Sequence, residues 1–447
     1  MAAAVSSFIA ADLSPANRPP IAGETAMTHR TSPTSCHLLL ALAVVSTGAA
    51  CKPKATPAAD RTEILIGATL PQTGTEARIG GQFKQGYELA FEEANQRGGL
   101  AVGGKKLPVK LTLYDDTSTQ ATAVSLADKL INSDKVDFLL GTYSTALVQA
   151  QSTTAEENKV PYVNGGGAAA EIYKRGYKYV FGALSPVQLL GTTLMTWIDE
   201  QQKAGKLPKP SKIALLWENT SHGKEFRQGI SEFAARSGGG YEVAVDESFQ
   251  LNGKDFSALL GKVKAAGTDL MLVDAHTQDY ITMHRQYIDA GLCQTVVSYG
   301  ARGAESDAVK ALGQANVNYV LSGVWWNAQL AATNPLAKKF VEAFKVKFPD
   351  KTPEWGQALG YEAARALFTA IEQAGAIDRE AVRAKLAALK IDSLLPGGVL
   401  EFPAATGGQM QASFVVQQNM PEGGSPIIFP KDVASAAGIA PNPQCKP

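Results

Sequence analysis

From Glu63 onward the chain alternates between short runs of β-branched and apolar residues and longer stretches whose apolar positions recur every three or four residues. "EILIGATL" predicts a strand, and "GGQFKQGYELAFEEANQRGG" predicts a helix that stops at Gly98 and Gly99. "LPVKLTLYDD" predicts a second strand, and "TSTQATAVSLADKLINSD", opening on hydroxyl residues, a second helix. "VDFLLG" and "VPYVNGG" predict two further strands with a helix between them. The pattern restarts after "YVFGALSP": strands are expected at "SKIALLWE", "YEVAVDESF", "DLMLVD", "TVVSYG" and "NYVLSGVWW", separated by helical stretches. Two long helical segments follow, "NPLAKKFVEAFKVKF" and "EWGQALGYEAARALFTAIEQAG". "GGVLEFPAATGGQMQASFVVQQ" then reads as a hairpin around a glycine-rich turn. Strand–helix alternation of this kind implies parallel sheets covered by helices on both faces, so the class is α/β, in two units of similar size.

In open parallel sheets the ligand sits beyond the carboxyl ends of the strands. That rule makes "FLLGTYST" informative: an apolar strand breaks at Gly141 and runs through Thr142, Tyr143, Ser144 and Thr145 into a helix. The first amides of a helix lack intrahelical partners and carry the positive end of its dipole. Hydroxyls beside them make a corner suited to a carboxylate, although a serine or threonine at that position is also an ordinary helix cap. "NGGGAAAE", Asn164 to Glu171, repeats the idea one strand later, with glycines that let backbone approach a ligand closely.

The 447 residues allow two domains, and 45% apolar with 19% charged residues describes a globular body. Lysine plus arginine equals aspartate plus glutamate at 42 each, which gives no compositional support for nucleic acid or an anionic membrane surface. Residues 1–50 differ from the rest. Met27 opens a stretch in which His29 and Arg30 precede an apolar run from Leu38 to Val45 and then small residues, the layout of a secretory signal. The run is too short to span a bilayer. It ends at Cys51, followed by the flexible "KPKATPAAD", and this resembles a bacterial lipoprotein signal; the resemblance implies lipidation of Cys51. Cleavage after Ala50 without lipidation is the alternative. In either case the product is exported. Cys293 and Cys445 are the two cysteines of the body, a candidate disulfide in an oxidising compartment or two unrelated thiols.

Several decoys are set aside. In "GGLAVGGKK", Gly99, Gly104 and Lys105 have phosphate-loop spacing, but Lys106 replaces the required hydroxyl and the stretch leaves a helix rather than opening one. "YDD", Tyr114 to Asp116, supplies few ligands for a divalent cation, and there is no HExxH or GxSxG. No catalytic constellation, cofactor or metal is expected.

The stretch from Ile66 to Ile131 carries Pro71, Thr73, Gly74, Asn95, Gly98, Gly99, Asp115 and Asp116 in order. With "LLGTYST", "VPYVNGGGA", "RGYKYVFGALSP" and "HGKEF", it resembles the substrate-binding proteins of ABC importers for branched-chain amino acids and amides. The resemblance extends from Glu63 to about Gln418. It implies two Rossmann-like lobes with parallel central sheets, joined by a three-crossing hinge and closing on a ligand. The expected division is residues 63–183 plus 327–393 for the first lobe and 184–326 plus 394–435 for the second. Residues 51–62 form a tether and 436–447 a tail, with crossings near 181–185, 323–327 and 393–397.

The same resemblance implies ligand contacts from Tyr143, Ser144 and Thr145, and from the loop Gly166 to Ala168, where Ala168 offers only its backbone. His222 stands where relatives commonly place a tyrosine. Asp274, a carboxylate in an apolar strand, and Asp279 are the acid candidates. Trp325 and Trp326 are candidate cleft walls or hinge packing, and Tyr361 a cleft-facing tyrosine or helix core. The implied partners are a small amino acid, amide, or aromatic or aliphatic carboxylate, and the permease and ATPase subunits of an importer. Neither nucleic acid nor any membrane contact beyond a lipid anchor is implied. A ligand-sensing module and an exported hydrolase are the alternatives.

Overall fold

The computed structural model describes residues 61–445. The leader, Cys51 and nearly all of the tether lie outside the described residues.

The first half holds β1 (Ile64–Leu70), α1 (Ala77–Gln96), the short strands β2 (Leu100–Val102) and β3 (Lys105–Leu107), and β4 (Val109–Asp115). It continues with α2 (Gln120–Asn132), β5 (Phe138–Leu140), α3 (Thr145–Glu157), β6 (Tyr162–Asn164) and β7 (Val180–Gly182). Five strands form one sheet in the order β4-β1-β5-β6-β7, every pairing parallel. A parallel sheet is buried on both faces, which is why β1 and β5 read as continuous apolar runs rather than alternating ones. The β2–β3 ribbon occupies the stretch that mimicked a phosphate loop. Gly103 and Gly104 take positive φ in its two-residue turn, so the glycines serve a hairpin.

The chain leaves this sheet after Gly182 and begins α4 (Val187–Lys203), which packs on strands of the second sheet. The second half contains β8 (Ser211–Glu218), α5 (Ser221–Arg236), β9 (Tyr241–Phe249), α6 (Ser257–Ala266) and β10 (Leu270–Asp274). After these come α7 (Thr277–Asp289), β11 (Val296–Ser298), α8 (Ser306–Leu312), α9 (Gln314–Val317) and β12 (Leu321–Val324). The chain then returns through α10 (Pro335–Lys347) to α11 (Trp355–Ala374), which lies against α1 of the first half, and to α12 (Arg379–Ala387). The α1–α11 seam is tight because glycines face it: a Cβ on Gly86 would stand 2.3 Å from the Gln357 carbonyl oxygen, and one on Gly360 2.8 Å from that of Phe83.

The expected hairpin near residue 400 is corrected. β13 (Lys390–Asp392) pairs with β14 (Val399–Glu401) around Gly397 and Gly398, whereas β15 (Val415–Gln418) and β16 (Ile427–Phe429) join the second sheet. That sheet runs β16-β15-β12-β11-β10-β8-β9, with its two late strands antiparallel. Pro403 and the 404–406 turn lie between β14 and β15, and each of these strands pairs elsewhere. The last crossing therefore does not lie at 393–397. Ser393 and Leu394 are held by the buried Glu362 of α11, and the chain crosses only after Gln409, which bridges Gly182.

Cys293 and Cys445 are joined by a disulfide with Cα atoms 5.3 Å apart and a sequence separation of 152. Asn442 N donates to Thr295 O at 2.8 Å, and Gln418 exchanges two hydrogen bonds with Ile439, so the C-terminal segment is bound along the second sheet. Cross-linking a loop of this length restricts the unfolded chain. The Cys293→Ser/Cys445→Ser variant is expected to lose about 2–4 kcal/mol in denaturant unfolding. Reductant should lower the midpoint of the unaltered protein and leave that of the variant in place.

Candidate functional site

The carboxyl ends of β5 and β6 form one wall of a cavity of about 260 Å³. Its geometry begins with a buried carboxylate. Asp116, the last residue of "YDD", accepts hydrogen bonds from the hydroxyls of Thr69 and Thr142, and so pins the chain just beyond β5. Its neighbour Asp115 accepts from the amides of Gln72, Thr73 and Thr117. These two acids therefore order loops. Thr142, expected to present its hydroxyl to a ligand, is turned to Asp116 instead. The adjacent loop is pressed against this one: a Cβ on Gly166 would sit 2.1 Å from the Thr142 carbonyl oxygen. Thr145 Oγ1 accepts from the Ala168 amide at 3.2 Å and ties the loops together. Ser144 holds extended backbone at the N-terminus of α3 and its hydroxyl makes no cap bond. Tyr143 lies between Phe83 and Trp355, ring centroids 5.8 and 6.0 Å away.

The opposite wall comes from the carboxyl ends of β8, β10 and β11. Thr220 caps α5 by accepting from Gly223 N at 3.2 Å, which sets His222 in the first turn facing the cavity. His222 Nδ1 donates to Asp274 Oδ2 at 2.8 Å. His276 Nδ1 stands 2.7 Å from Glu76 Oε1 of the first half, and its Nε2 lies 3.5 Å from Glu218 Oε2. Arg302, in the loop after β11, is 3% exposed. It donates to the Tyr143 hydroxyl and to Glu305 Oε1, and its guanidinium lies 4.8 Å from the Trp355 ring centre.

The charges follow from these contacts. Burial disfavours a cationic His276, but Glu218 and Glu76 outweigh it and push its pKa up to about 10. Burial likewise works against a charged His222, while Asp274 and then Glu218 raise it above the usual histidine value. Burial pushes Glu218 up, against the pull of His276. His276 is thus cationic at neutral pH, and His222 is shifted in the same direction. Glu218, His222 and Asp274 place donor atoms within 4.8 Å of one another, a spacing that could hold a metal ion. The imidazole proton shared with Asp274 would have to leave first.

Of the residues anticipated from sequence, Tyr143, Ser144, Thr145, Gly166, Ala168, His222 and Trp325 lie on the cavity wall. Trp325 donates its indole N–H to Ser185 O at 2.9 Å and thereby also joins the segments that follow β12 and β7. Two placements are corrected. Asp274 stands behind His222 rather than on the wall. Tyr361 is in the α1–α11 seam, donating to Glu93 at 2.6 Å, because the glycines of that seam draw the helices together around it. Asp279 accepts from Gly253 N at 2.8 Å and orders a loop, and Trp326 packs edge-on to Phe340. Glu218, His276, Arg302 and Trp355 were not anticipated. The strand-end rule points to the first three, since each ends or follows a strand of the second sheet; nothing in the sequence singles out Trp355. A larger groove of about 770 Å³ runs past Trp326 and Trp355. Its Arg78 is paired with Glu305, Glu354 and Asp307, and the N-termini of α3 and α5 open instead into the smaller cavity.

Comparison with known proteins agrees with this architecture. The family described as periplasmic binding protein matches residues 63–425. The Leu/Ile/Val-binding protein homolog 7 of Brucella suis biovar 1 (strain 1330) is 28% identical over 338 residues, spanning 74% of this chain and 82% of the relative. The homolog 3 of Brucella melitensis biotype 1 is 29% identical over 323 residues, 72% of this chain and 82% of its own. Among solved structures, the leucine-binding protein LivK of Thermotoga maritima superposes with a TM-score of 0.71 at 24% identity, covering 81% of this chain and 97% of that one. A solute-binding protein of R. palustris in complex with benzoate superposes with a TM-score of 0.69 at 21% identity, covering 85% and 98%. With its two sheets, its facing strand ends and a match over most of its length, the chain belongs to the periplasmic binding protein family.

Proposed function

We propose that this protein is an extracytoplasmic solute-binding protein that encloses a small carboxylate-bearing molecule between its two sheets and delivers it to the permease and ATPase subunits of an ABC importer. The observation that carries this reading is the cavity walled by strand-end loops of both halves, with the N-termini of α3 and α5 opening into it. Binding at such a place needs no chemistry on the ligand. It needs donors held in advance, and those are supplied by backbone amides whose orientation the helices fix. The leucine-binding and benzoate-bound relatives support a ligand of this size and charge. Export through the leader and a lipid anchor at Cys51 complete the proposal.

Closure is held by contacts that reach from one half to the other. Besides His276 with Glu76 and Arg302 with Tyr143, the Glu225 carboxylate accepts from the amides of Ala170 and Glu171 at 2.8 and 3.1 Å, and Ser221 donates to Glu171. These are point contacts between polar groups, separable by water, as a reversible trap requires.

Calorimetry against amino acids, amides and carboxylates should give saturable binding without turnover. Charge-assisted hydrogen bonds contribute roughly 1.5–3 kcal/mol each. The Ser144→Ala/Thr145→Ala variant is therefore expected to bind its carboxylate ligand tenfold or more weakly; unchanged affinity would refute the anion corner.

A pH profile tests the cross-half pair. His276 has a folded pKa above its unfolded one, so its contribution is fully present below about pH 6.5 and lost as pH rises through about 10. Stability should fall across that window by up to about 1.4 kcal/mol per pH unit from this group. The His276→Gln variant should lack this component of the slope, and identical profiles would show that the pair contributes nothing.

A further inference from the structure

The cavity wall is unbalanced in what it offers a ligand. Three of its side chains, Arg302, His222 and His276, are cationic or can become so, against a single carboxylate, Glu218. That carboxylate is enclosed by its own neighbours. Glu218 Oε1 accepts from the Thr220 hydroxyl at 2.7 Å and lies 4.0 Å from His222 Nδ1. Oε2 is buried, makes no hydrogen bond and faces His276 Nε2 at 3.5 Å. Asp274 and Glu76, the next acids outward, are held by His222 and His276. A ligand ammonium entering this space would meet two imidazoles before it reached a carboxylate oxygen.

Donors, by contrast, remain available. Among the described residues Arg302 bonds only to Glu305 and Tyr143, so three of its five N–H groups have no partner although the side chain is 3% exposed and lines the cavity. The Ser144 hydroxyl makes no cap bond, and the first amides of α3 are without intrahelical partners. The buried Trp355 Nε1 also lacks a hydrogen-bond acceptor. The apolar part of the wall comes from Tyr143, Leu184, Leu251, Trp325 and Trp355, while Gln149 and Asn219 add neutral polar groups. Arg302 comes from the second sheet and the Ser144 corner from the first, so one carboxylate placed between them would be bound by both halves at once.

Resting on the solute-binding reading above, we infer that the cavity selects a carboxylate without an α-ammonium group, carried on an aromatic or branched aliphatic body, over the corresponding amino acid, with Arg302 as the residue that reads the carboxylate. The specificity comes from the lack of a free carboxylate, since Glu218, the one acid on the wall, is engaged by Thr220 and faces His276. An amino acid would bury its ammonium beside His222 and His276, whereas the plain acid leaves that part of the cavity to its apolar body.

The test uses protein freed of co-purified ligand and two matched sets in calorimetry: 3-phenylpropanoate, phenylalanine and 3-phenylpropanamide; and 4-methylpentanoate, leucine and 4-methylpentanamide. In at least one set the acid should bind tenfold or more tightly than both the amino acid and the amide. Amino acid binding equal to or tighter than that of the acid overturns the inference, as does equal binding of acid and amide. Absence of binding by every member of both sets, while another small molecule binds saturably, also overturns it and leaves the solute-binding reading standing. Turnover of any compound instead removes that reading. Arg302→Lys keeps the charge but not the planar fork. It should weaken the acid tenfold or more and the amide less than threefold, and equal losses for both would reduce Arg302 to a packing role.

Discussion

Parallel strands fed by right-handed crossovers leave every strand-to-helix turn at the same edge of a sheet, and with it every helix N-terminus with its unpaired amides. That constraint decides where this protein can bind anything. Each sheet has one edge where its strands end and its helices begin, and the three chain crossings turn those two edges toward each other. Small residues let the edges be occupied by backbone: Gly166 has a carbonyl oxygen where its Cβ would be. A buried acid, Asp116, fixes the chain beyond β5 without projecting into the cavity. The proposed anion corner is thus a consequence of topology refined by a few side chains.

The two walls solve different problems. The first is nearly free of charge and presents backbone and hydroxyls, so its shape is set by the fold. The second carries the ionisable groups, and these are coupled to one another: Asp274 orients His222, and Glu76 and Glu218 hold His276 between them. Such a chain of buried pairs is costly to assemble from water and costly to break by removing one member. Its effect is to favour the charged form of both imidazoles and to keep Asp274 and Glu76 off the cavity wall. Asp274 acts through His222, which explains how a carboxylate deep in an apolar strand can matter to a cavity that it does not line.

Much of this was legible in the sequence, and the reasons are particular. The strand ends at Gly141–Thr145 and Asn164–Ala168 could be found because apolar runs, glycines and helix periodicity are local signals. His222 was reached through the family resemblance and through its place at a helix start. Arg302 and His276 follow strands of the second sheet in the same way, but their neighbourhoods, "YGARG" and "DAHTQ", resemble any loop until the fold brings Tyr143 and Glu76 to them. Tyr361 stayed open between cleft and helix core for the opposite reason. Its helix pattern was clear, but which face meets α1 depends on Gly86 and Gly360, some 270 residues apart in the chain. The false hairpin near residue 400 arose because β14 and β15 each find partners elsewhere, a choice made by long-range pairing that no local pattern records.

The position of Arg302 links recognition to motion. Its loop follows β11 in the second sheet, whereas Tyr143 and the α3 N-terminus belong to the first, so the guanidinium and the Ser144 corner come together only when the halves are close. A ligand carboxylate between them would have differential affinity for the closed state, which is the physical requirement for a ligand to drive closure at all. The Arg302–Tyr143 contact adds to the closed arrangement a polar bond between the halves that involves no ligand atom. Release then requires separating polar contacts rather than apolar surfaces, and water can replace each of them in turn. A trap built this way can hold its guest by charge and still open at a membrane partner.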